Sequence, residues 1–365
     1  MVVINNLQIP SSLRHMEFDG RLHFNAFEIS SADLHQLSDL RILRLTHSEA
    51  LKKLPEELGD LVNGLQELTL SYCTSVEELP GSISKLQSLR VIRMEYCSSL
   101  KQLPEDFGSL ISLQKLNLQG CQNLKELPND FEKLTALKLL DLSFCKRLLD
   151  LPHGLGNLTS LAELKLKQCS QLRSIPESIG QMKSLASSMN MLGCSSLKEL
   201  PSGLCDLSFI TSLSLAECSN LEKLPDRFGE LVNLRRLKLS MCNNLEDLCN
   251  DFHRLDSLEN LQLSMCHSLK RLPQYFDCLA SLQWLTLTSC PRLEGKEMDK
   301  VVKIKTLKWV DIEQSEMLLN RWGELQRKGN PLWSFAVITG QVHLTSIHSY
   351  LYTNRVIVCI LCELL

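Results

Sequence analysis

The sequence feature that most constrains the fold is a cysteine that returns at an almost constant interval. Cys73, Cys97, Cys121, Cys145 and Cys169 are 24 residues apart, Cys194 follows after 25, and Cys218, Cys242, Cys266 and Cys290 return to 24. A short unit cannot bury its apolar side chains alone, so a fixed period of this length indicates units that stack against one another. The chain is therefore predicted to form a solenoid rather than a closed globule.

Each unit combines two apolar patterns. An L-x-L segment before the cysteine predicts a short strand with one buried face. A segment such as "LPEDFGSLISL" has apolar residues three apart after a proline, which predicts a turn and a short helix or 3₁₀ segment. Together they give the leucine-rich-repeat pattern. The predicted fold is α/β: a curved, horseshoe-shaped solenoid with a parallel β-sheet on its concave face and short helices or 3₁₀ turns on its convex face.

The repeats divide the chain into three parts. We assign 40–318 to repeats, 1–39 to an irregular N-terminal cap that could hold a degenerate repeat at "LRHMEF", and 319–365 to a C-terminal cap and tail. The segment "NRWGELQRKGNPLW" predicts a short amphipathic helix, whereas the rest of the tail could be a hairpin or poorly folded. The most apolar run, Val356–Leu365, is too short to cross a bilayer, and no targeting segment is evident. These features predict a soluble cytoplasmic protein.

The recurring cysteines could serve four purposes. A small, weakly polar side chain suits the point where the chain turns inward, and its thiol could donate to a carbonyl of the next unit. Ser48 and Ser315 occupy the same position in two less regular units. Strand spacing of about 4.8 Å does not exclude disulfides, but parallel Cβ vectors are unfavourable. A line of thiols does not converge on zinc, and a buried thiol without a neighbouring histidine is a poor nucleophile. A structural ladder is favoured.

Residues beside the buried leucines are predicted to face solvent on the concave wall. Arginine and aromatic side chains are enriched at the energetic centres of protein interfaces. Covering the ends of the leucine core is the alternative role for the large aromatic residues. The candidates form one cluster near the start of the wall, with Tyr72, Arg93, Tyr96 and Phe144, and one near its end, with Trp284 and Trp309 and with Met241 and Met265 beside them. The full set of candidate partner-binding residues is Tyr72, Arg93, Tyr96, Lys115, Asp141, Phe144, Lys165, Arg236, Lys238, Trp284 and Trp309.

Charge and motifs argue against other functions. A net charge of −3 and charges of mixed sign on the predicted wall disfavour nucleic-acid and membrane binding. No phosphate-binding loop, nucleophile elbow, zinc-protease or dinucleotide motif is present, so we expect no enzymatic activity, no cofactor and no small-molecule substrate. His343, His348, Cys359 and Cys362 could ligate zinc, but their spacing is not that of a common finger, and we interpret it as coincidence.

Two complete units carry a family resemblance. "CSSLKQLPEDFGSLISLQKLNLQG" and "CSNLEKLPDRFGELVNLRRLKLS" resemble repeats of plant intracellular nucleotide-binding leucine-rich-repeat disease-resistance proteins. They also share "LP-x-x-[FI]-G-x-L" with the Ras-group scaffold repeats. The resemblance implies recognition of a protein partner in plant defence signalling. The nucleotide-binding domain of that family is missing, so ATP or ADP binding is not implied, and the chain would be a repeat-only relative or a fragment. A constitutive signalling scaffold is the alternative, and a ubiquitin-ligase recognition arm, which would need an F-box-like head, is a further one.

Overall fold

The computed structural model describes residues 2–3, 12–22, 27–28, 37–61, 64–327 and 336–338. Strand β1 pairs only with β3, and the other strands form one parallel sheet of fourteen strands. Neighbours in this sheet follow chain order from β2 to β16, and its two end strands do not meet. The strands are β1 (Val2–Val3), β2 (His15–Asp19), β3 (Phe27–Glu28), β4 (Ile42–Thr46), β5 (Glu67–Thr69), β6 (Val91–Arg93), β7 (Lys115–Asn117), β8 (Leu139–Asp141), β9 (Glu163–Lys165), β10 (Ser188–Asn190), β11 (Ser212–Ser214), β12 (Arg236–Lys238), β13 (Asn260–Gln262), β14 (Trp284–Thr286), β15 (Trp309–Asp311) and β16 (Ala336–Ile338).

Each strand from β5 to β15 has three residues, and its middle side chain points into the core. In β12, Leu237 is fully buried between the exposed Arg236 and Lys238. The parallel register places Arg236 between Ser212 and Asn260, so equivalent residues form rows across the sheet. This alternation is the period of a strand with one buried face. The predicted leucine-rich-repeat solenoid is confirmed.

Short 3₁₀ turns form the opposite side of each coil. Pro80 and Pro176 stand in extended conformation immediately before two of them, where a fixed φ is already suited to the turn. Two α-helices follow near the end of the repeats, α1 (Met298–Val301) and α2 (Glu316–Arg327). The 3₁₀ turns are Gly20–Leu22, Glu56–Asp60, Gly81–Lys85, Phe107–Ser109, Phe131–Lys133, Leu155–Asn157, Glu177–Gln181, Ser202–Asp206, Phe228–Glu230, Asn250–Arg254, Phe276–Cys278 and Gly295–Glu297.

The chain turns sharply where each strand ends, at the residue before the cysteine position. Twelve such residues have positive φ, between 53° and 77°. This left-handed conformation costs a residue other than glycine about 1 kcal/mol. It is held because the backbone N–H still reaches the next coil, as from Tyr72 to the Glu95 carbonyl at 2.7 Å. The twelve residues are His47, Tyr72, Tyr96, Gly120, Phe144, Gln168, Gly193, Glu217, Met241, Met265, Ser289 and Gln314.

The extra residue before Cys194 interrupts the sheet locally. Strand β10 pairs with β9 through Asn190 and Lys165 alone, whereas β10 and β11 pair through three residues each. Aligned with the preceding coil, the surplus residue is Ser187, which is exposed. An additional residue in one strand breaks the ladder of hydrogen bonds and leaves a bulge. The junction of β9 and β10 is therefore a weak point in an otherwise regular sheet.

Deleting Ser187 is expected to raise the free energy of unfolding by about 1 kcal/mol, because pairing between β9 and β10 would gain the missing backbone hydrogen bonds. Urea unfolding followed by circular dichroism measures the change. Deleting Ala162, which directly precedes β9 in the preceding, regular coil, is the control and should destabilise the protein. A lower stability after deletion of Ser187 would mean that the bulge is itself required by the packing.

A buried carboxylate ties the last helical segment to the coil before it. Glu297 is 1% exposed, and its Oε2 accepts the Leu272 N–H at 3.0 Å and the Lys300 ammonium at 2.7 Å. The same ammonium donates to the Leu272 carbonyl at 2.7 Å. Both backbone groups of Leu272 are thus satisfied by side chains of the following coil.

Replacing Glu297 with alanine is expected to lower the free energy of unfolding by about 2–3 kcal/mol. The change leaves the Leu272 N–H without its acceptor and the Lys300 ammonium without its counter-charge. The partial exposure of Lys300 keeps the loss at this level. Glu297→Gln retains an acceptor for the Leu272 N–H, so its free energy of unfolding should fall clearly less than that of Glu297→Ala. Thermal and urea unfolding of both variants measure the difference. Equal losses would show that the charge, not the hydrogen bond, matters.

The predicted outer segments are only partly described. Strand β2, within the predicted N-terminal cap, pairs with β4 over five residues. Helix α2 contains most of the segment predicted to be helical, beginning at Glu316. Of the tail, only 336–338 is described, as strand β16 paired with β15. No helix within the described ranges is long and apolar enough to span a membrane.

Candidate protein-binding face

The solvent-facing side of the sheet carries the first and third residues of strands β4 to β15, which we call the open face. The described residues include no element packed on it, and most of its side chains are exposed or half-buried. The row of left-handed residues lies just beyond the strands, at their carboxyl ends. The open face is therefore bordered by Tyr72, Tyr96 and Phe144. The sequence analysis had predicted these residues on the wall itself, whereas the structure places them just beyond the strands.

Near the start of the open face, one carboxylate is held between two guanidinium groups. Glu67 Oε1 is 2.9 Å from Arg44 Nη2 and 2.9 Å from Arg93 Nη1. Because the three residues lie on consecutive strands, the register itself produces this ion-pair network. Arg93, predicted to contact a partner, has its charge already compensated within the protein.

Two other predicted contacts also have internal partners. Asp141 is 5% exposed, and its Oδ1 accepts the Ser143 N–H at 2.9 Å, which closes the turn after β8. Lys165 Nζ lies 3.6 Å from Asp141 and 3.5 Å from Glu163. Asp141 is thus the last residue of β8, but its side chain is buried against the following turn. Lys115 is exposed, and in the register it lies between Val91 and Leu139.

Three aromatic rings are stacked along the edge of the open face. The ring centroids of His47 and Tyr72 are 4.7 Å apart, and those of Tyr72 and Tyr96 are 4.9 Å apart. The next position is Gly120, where a Cβ would lie 2.6 Å from the Tyr96 ring. The ring of Tyr96 thus occupies the space that a side chain at position 120 would need. Sequence reasoning missed His47, although its place before Ser48 in the repeat could have revealed it.

Phe144 and the tryptophan pair lie apart from this stack. Lys167 Nζ is 5.6 Å from the centre of the Phe144 ring, a cation–π contact. Trp284 and Trp309 are register neighbours on β14 and β15. Trp284 is 38% exposed, with Lys308 Nζ 5.4 Å from its ring.

Met241 and Met265 do not join the tryptophan pair. They are 39% and 40% exposed in the left-handed row, beyond the carboxyl ends of the strands. Trp284 occupies the first position of its strand, at the opposite end. The predicted grouping of these methionines with the tryptophans is therefore corrected: the two pairs border different edges of the open face.

The ten ladder cysteines are buried, and each thiol donates a hydrogen bond to a strand-end carbonyl. Cys97 Sγ, for example, donates to the Leu70 carbonyl at 3.0 Å. The acceptor belongs to the preceding coil, not to the next one as predicted. Ser315 repeats the contact with the Leu287 carbonyl at 2.5 Å. The ladder is Cys73, Cys97, Cys121, Cys145, Cys169, Cys194, Cys218, Cys242, Cys266 and Cys290.

Burial changes the chemistry of these thiols. Desolvation raises the pKa of Cys73 to about 11 and that of Cys145 to about 12. A thiol that stays protonated at neutral pH is a poor nucleophile and a poor metal ligand. All cysteines in the described ranges are free thiols, and no metal-binding group of residues occurs there. The His343, His348, Cys359 and Cys362 pattern lies outside the described residues.

Comparison with known proteins supports the repeat architecture. Residues 96–190 match the model of a leucine-rich repeat region. No curated protein sequence matches at a significant level.

Several solved leucine-rich-repeat structures are similar to the chain. The leucine-rich repeat domain of the type III effector XopL is 26% identical with a TM-score of 0.47, and the match covers 70% of this chain and 79% of that one. The Drosophila Toll–Spatzle complex is 21% identical with a TM-score of 0.49, covering 93% and 45%. The plant peptide hormone receptor RGFR1 in complex with RGF2 is 18% identical with a TM-score of 0.37, covering 87% and 66%. The chain therefore spans less than two thirds of two of these proteins.

Proposed function

We propose that the protein is a non-enzymatic recognition module that binds a protein partner on its open face. The observation that supports this is the exposure of that face. Parallel sheets are normally covered on both sides, whereas here the buried leucines cover only one side of the sheet. What remains is a broad, preformed and chemically varied surface, which suits recognition of another macromolecule.

Within this proposal, the partner belongs to plant defence signalling, and the protein acts in the cytoplasm. The defence role depends on the resemblance of the repeats to those of disease-resistance proteins. A reducing compartment is consistent with the free thiols of the ladder. The second candidate is a constitutive signalling scaffold of the Ras-group type, favoured by the same "LP-x-x-[FI]-G-x-L" segment.

The binding role can be tested by adding bulk to the open face. Ser214 and Gln262 are half-buried residues at the third position of their strands, so Ser214→Tyr with Gln262→Tyr should obstruct a partner without entering the core. Glu105→Tyr with Gln181→Tyr places the same bulk on the exposed, turn-bearing side and serves as the matched control. Proximity labelling in plant cells should no longer detect the specific partners of the wild-type protein when Ser214 and Gln262 are replaced, but should still detect them with the control variant. Equal labelling by both variants would refute binding at the open face.

The same experiment separates the two biological roles. Labelling is carried out in infected and uninfected cells with the wild-type protein. A partner that appears only on infection supports defence signalling, whereas a constant partner, above all a small GTPase, supports the scaffold.

A further inference from the structure

The two halves of the open face differ in how their charges are compensated. In the first half, the open-face cations other than Lys115 pair with carboxylates, as in the Arg44–Glu67–Arg93 network. On β12 the situation changes. Arg236 and Lys238 are both exposed, and within the part of the chain that the structure describes neither forms an ion pair. The second half thus presents two uncompensated positive charges.

The acidic residues closest in sequence to β12 and its neighbours are engaged elsewhere. Glu259 precedes β13 and pairs with Arg235, with 3.2 Å between Nη1 and Oε1. Glu217 follows β11, and its Oε2 accepts the side-chain amide of Gln168 at 3.0 Å. Neither of these carboxylates forms an ion pair with Arg236 or Lys238.

The strands on either side of β12 add donors without adding charge. Ser212 and Asn260 flank Arg236 in the register, and Ser214 and Gln262 flank Lys238. Hydroxyl and amide groups can donate to a carboxylate, and guanidinium and ammonium groups can only donate. This basic segment, made of these four residues with Arg236 and Lys238, is rich in donors and holds no acidic acceptor.

We infer that the basic segment binds an extended acidic stretch of the protein partner, with carboxylates two residues apart. The inference rests on the proposed function and specifies the chemistry of the partner. Arg236 and Lys238 are two residues apart on one strand, about 6.6 Å along it, and an extended peptide repeats its side chains at the same interval. An E-x-E or D-x-D segment aligned with β12 therefore places one carboxylate at each cation, and the guanidinium can receive its carboxylate through two hydrogen bonds.

A nucleic acid fits this surface less well than an acidic peptide. Affinity for a single strand depends on many phosphate contacts and on aromatic rings that stack with bases. The basic segment offers two cations and no aromatic side chain. The peptide is therefore the occupant that the geometry favours.

The probe for this inference is a fluorescein-labelled peptide of alternating serine and glutamate, titrated with the full chain and followed by fluorescence anisotropy. R236S/K238S should weaken binding on the order of tenfold, and raising NaCl from about 0.02 M to about 0.5 M should weaken wild-type binding similarly. K146S/R147S removes two exposed cations that also have no ion pair, on the segment after Cys145, and should leave binding unchanged. Equal thermal stability of both variants excludes unfolding as the cause.

Several outcomes would overturn the inference. They are no binding of the probe, equal weakening by the two double variants, or equally tight binding of a labelled oligothymidylate. The last would indicate a general affinity for polyanions. If wild-type partners disappear on adding bulk at positions 214 and 262 but persist in R236S/K238S, the open face binds proteins without using these charges. In that case the proposed function stands and only the acidic partner is rejected.

Discussion

Above about pH 9 the solenoid is expected to unfold steeply, because ten buried thiols resist ionisation in the folded state. Burial raises the pKa of Cys73 and Cys290 to about 11 and that of Cys145, Cys194 and Cys242 to about 12. The other five ladder thiols are shifted in the same direction by the same cause. In the unfolded chain a thiol ionises near about 8.5.

The sign of the effect follows from proton linkage. A raised folded-state pKa means that the unfolded chain loses protons first, so stability is intact below about pH 8.5 and falls as the pH rises towards 11–12. Each thiol contributes about 1.4 kcal/mol of destabilisation per pH unit in this interval. Ten thiols together reach about 14 kcal/mol within one unit, which matches the whole stability of a typical domain, about 5–15 kcal/mol.

Circular dichroism between pH 8 and 11, with reductant present, measures this transition. The triple variant Cys121→Ser, Cys145→Ser and Cys169→Ser should unfold at a higher pH and over a broader interval, because three fewer protons are released. Serine fits the position, as Ser315 shows. Cys278→Ser removes an exposed thiol and should change neither the midpoint pH of unfolding nor the width of the transition. If wild type and triple variant unfold at the same midpoint pH, the thiols do not cause alkaline unfolding, and deprotonation of lysine and tyrosine side chains is its cause.

The repeat could be predicted from the sequence because its cause is local and repeated. Leucines at fixed offsets determine which side of each strand is buried, so one correct register gives all the others. The left-handed row could not be predicted in this way. Tyr72 and Tyr96 are ordinary residues in an unusual conformation, and what holds them there is the hydrogen bond from each N–H to the following coil.

The candidate site was predicted less completely, because a position on the sheet does not determine whether a charge is free. Arg93 and Lys238 are both the third residue of their strand and lie in the same row, yet only Arg93 has a carboxylate, Glu67, on the preceding strand. Asp141 turns back onto the Ser143 N–H and becomes buried. The Arg93–Glu67 pair joins residues 26 apart in sequence, so it becomes visible only when neighbouring coils are compared in register, whereas the Asp141–Ser143 contact lies within a single coil.

Replacing Phe252 with alanine is expected to lower the free energy of unfolding by about 3–5 kcal/mol, the cost of removing a fully buried aromatic ring. Its ring is stacked between those of Phe228 and Phe276, with centroids 6.4 Å and 6.3 Å away. The substitution would leave a cavity between two coils, and a solenoid is stabilised by contacts between adjacent coils only. Stability lost at this point cannot be recovered from more distant parts of the chain.

Phe252→Leu provides the matched control. Leu155 and Leu204 occupy the same position in other coils and are fully buried there, so leucine should cost about 1 kcal/mol. The double variant Phe228→Ala with Phe252→Ala tests the stacking itself. If the rings interact beyond their buried area, the double loss should fall short of the sum of the single losses by about 0.5–1.5 kcal/mol. Strict additivity in urea unfolding would mean that each ring stabilises its own coil and that the stack adds nothing.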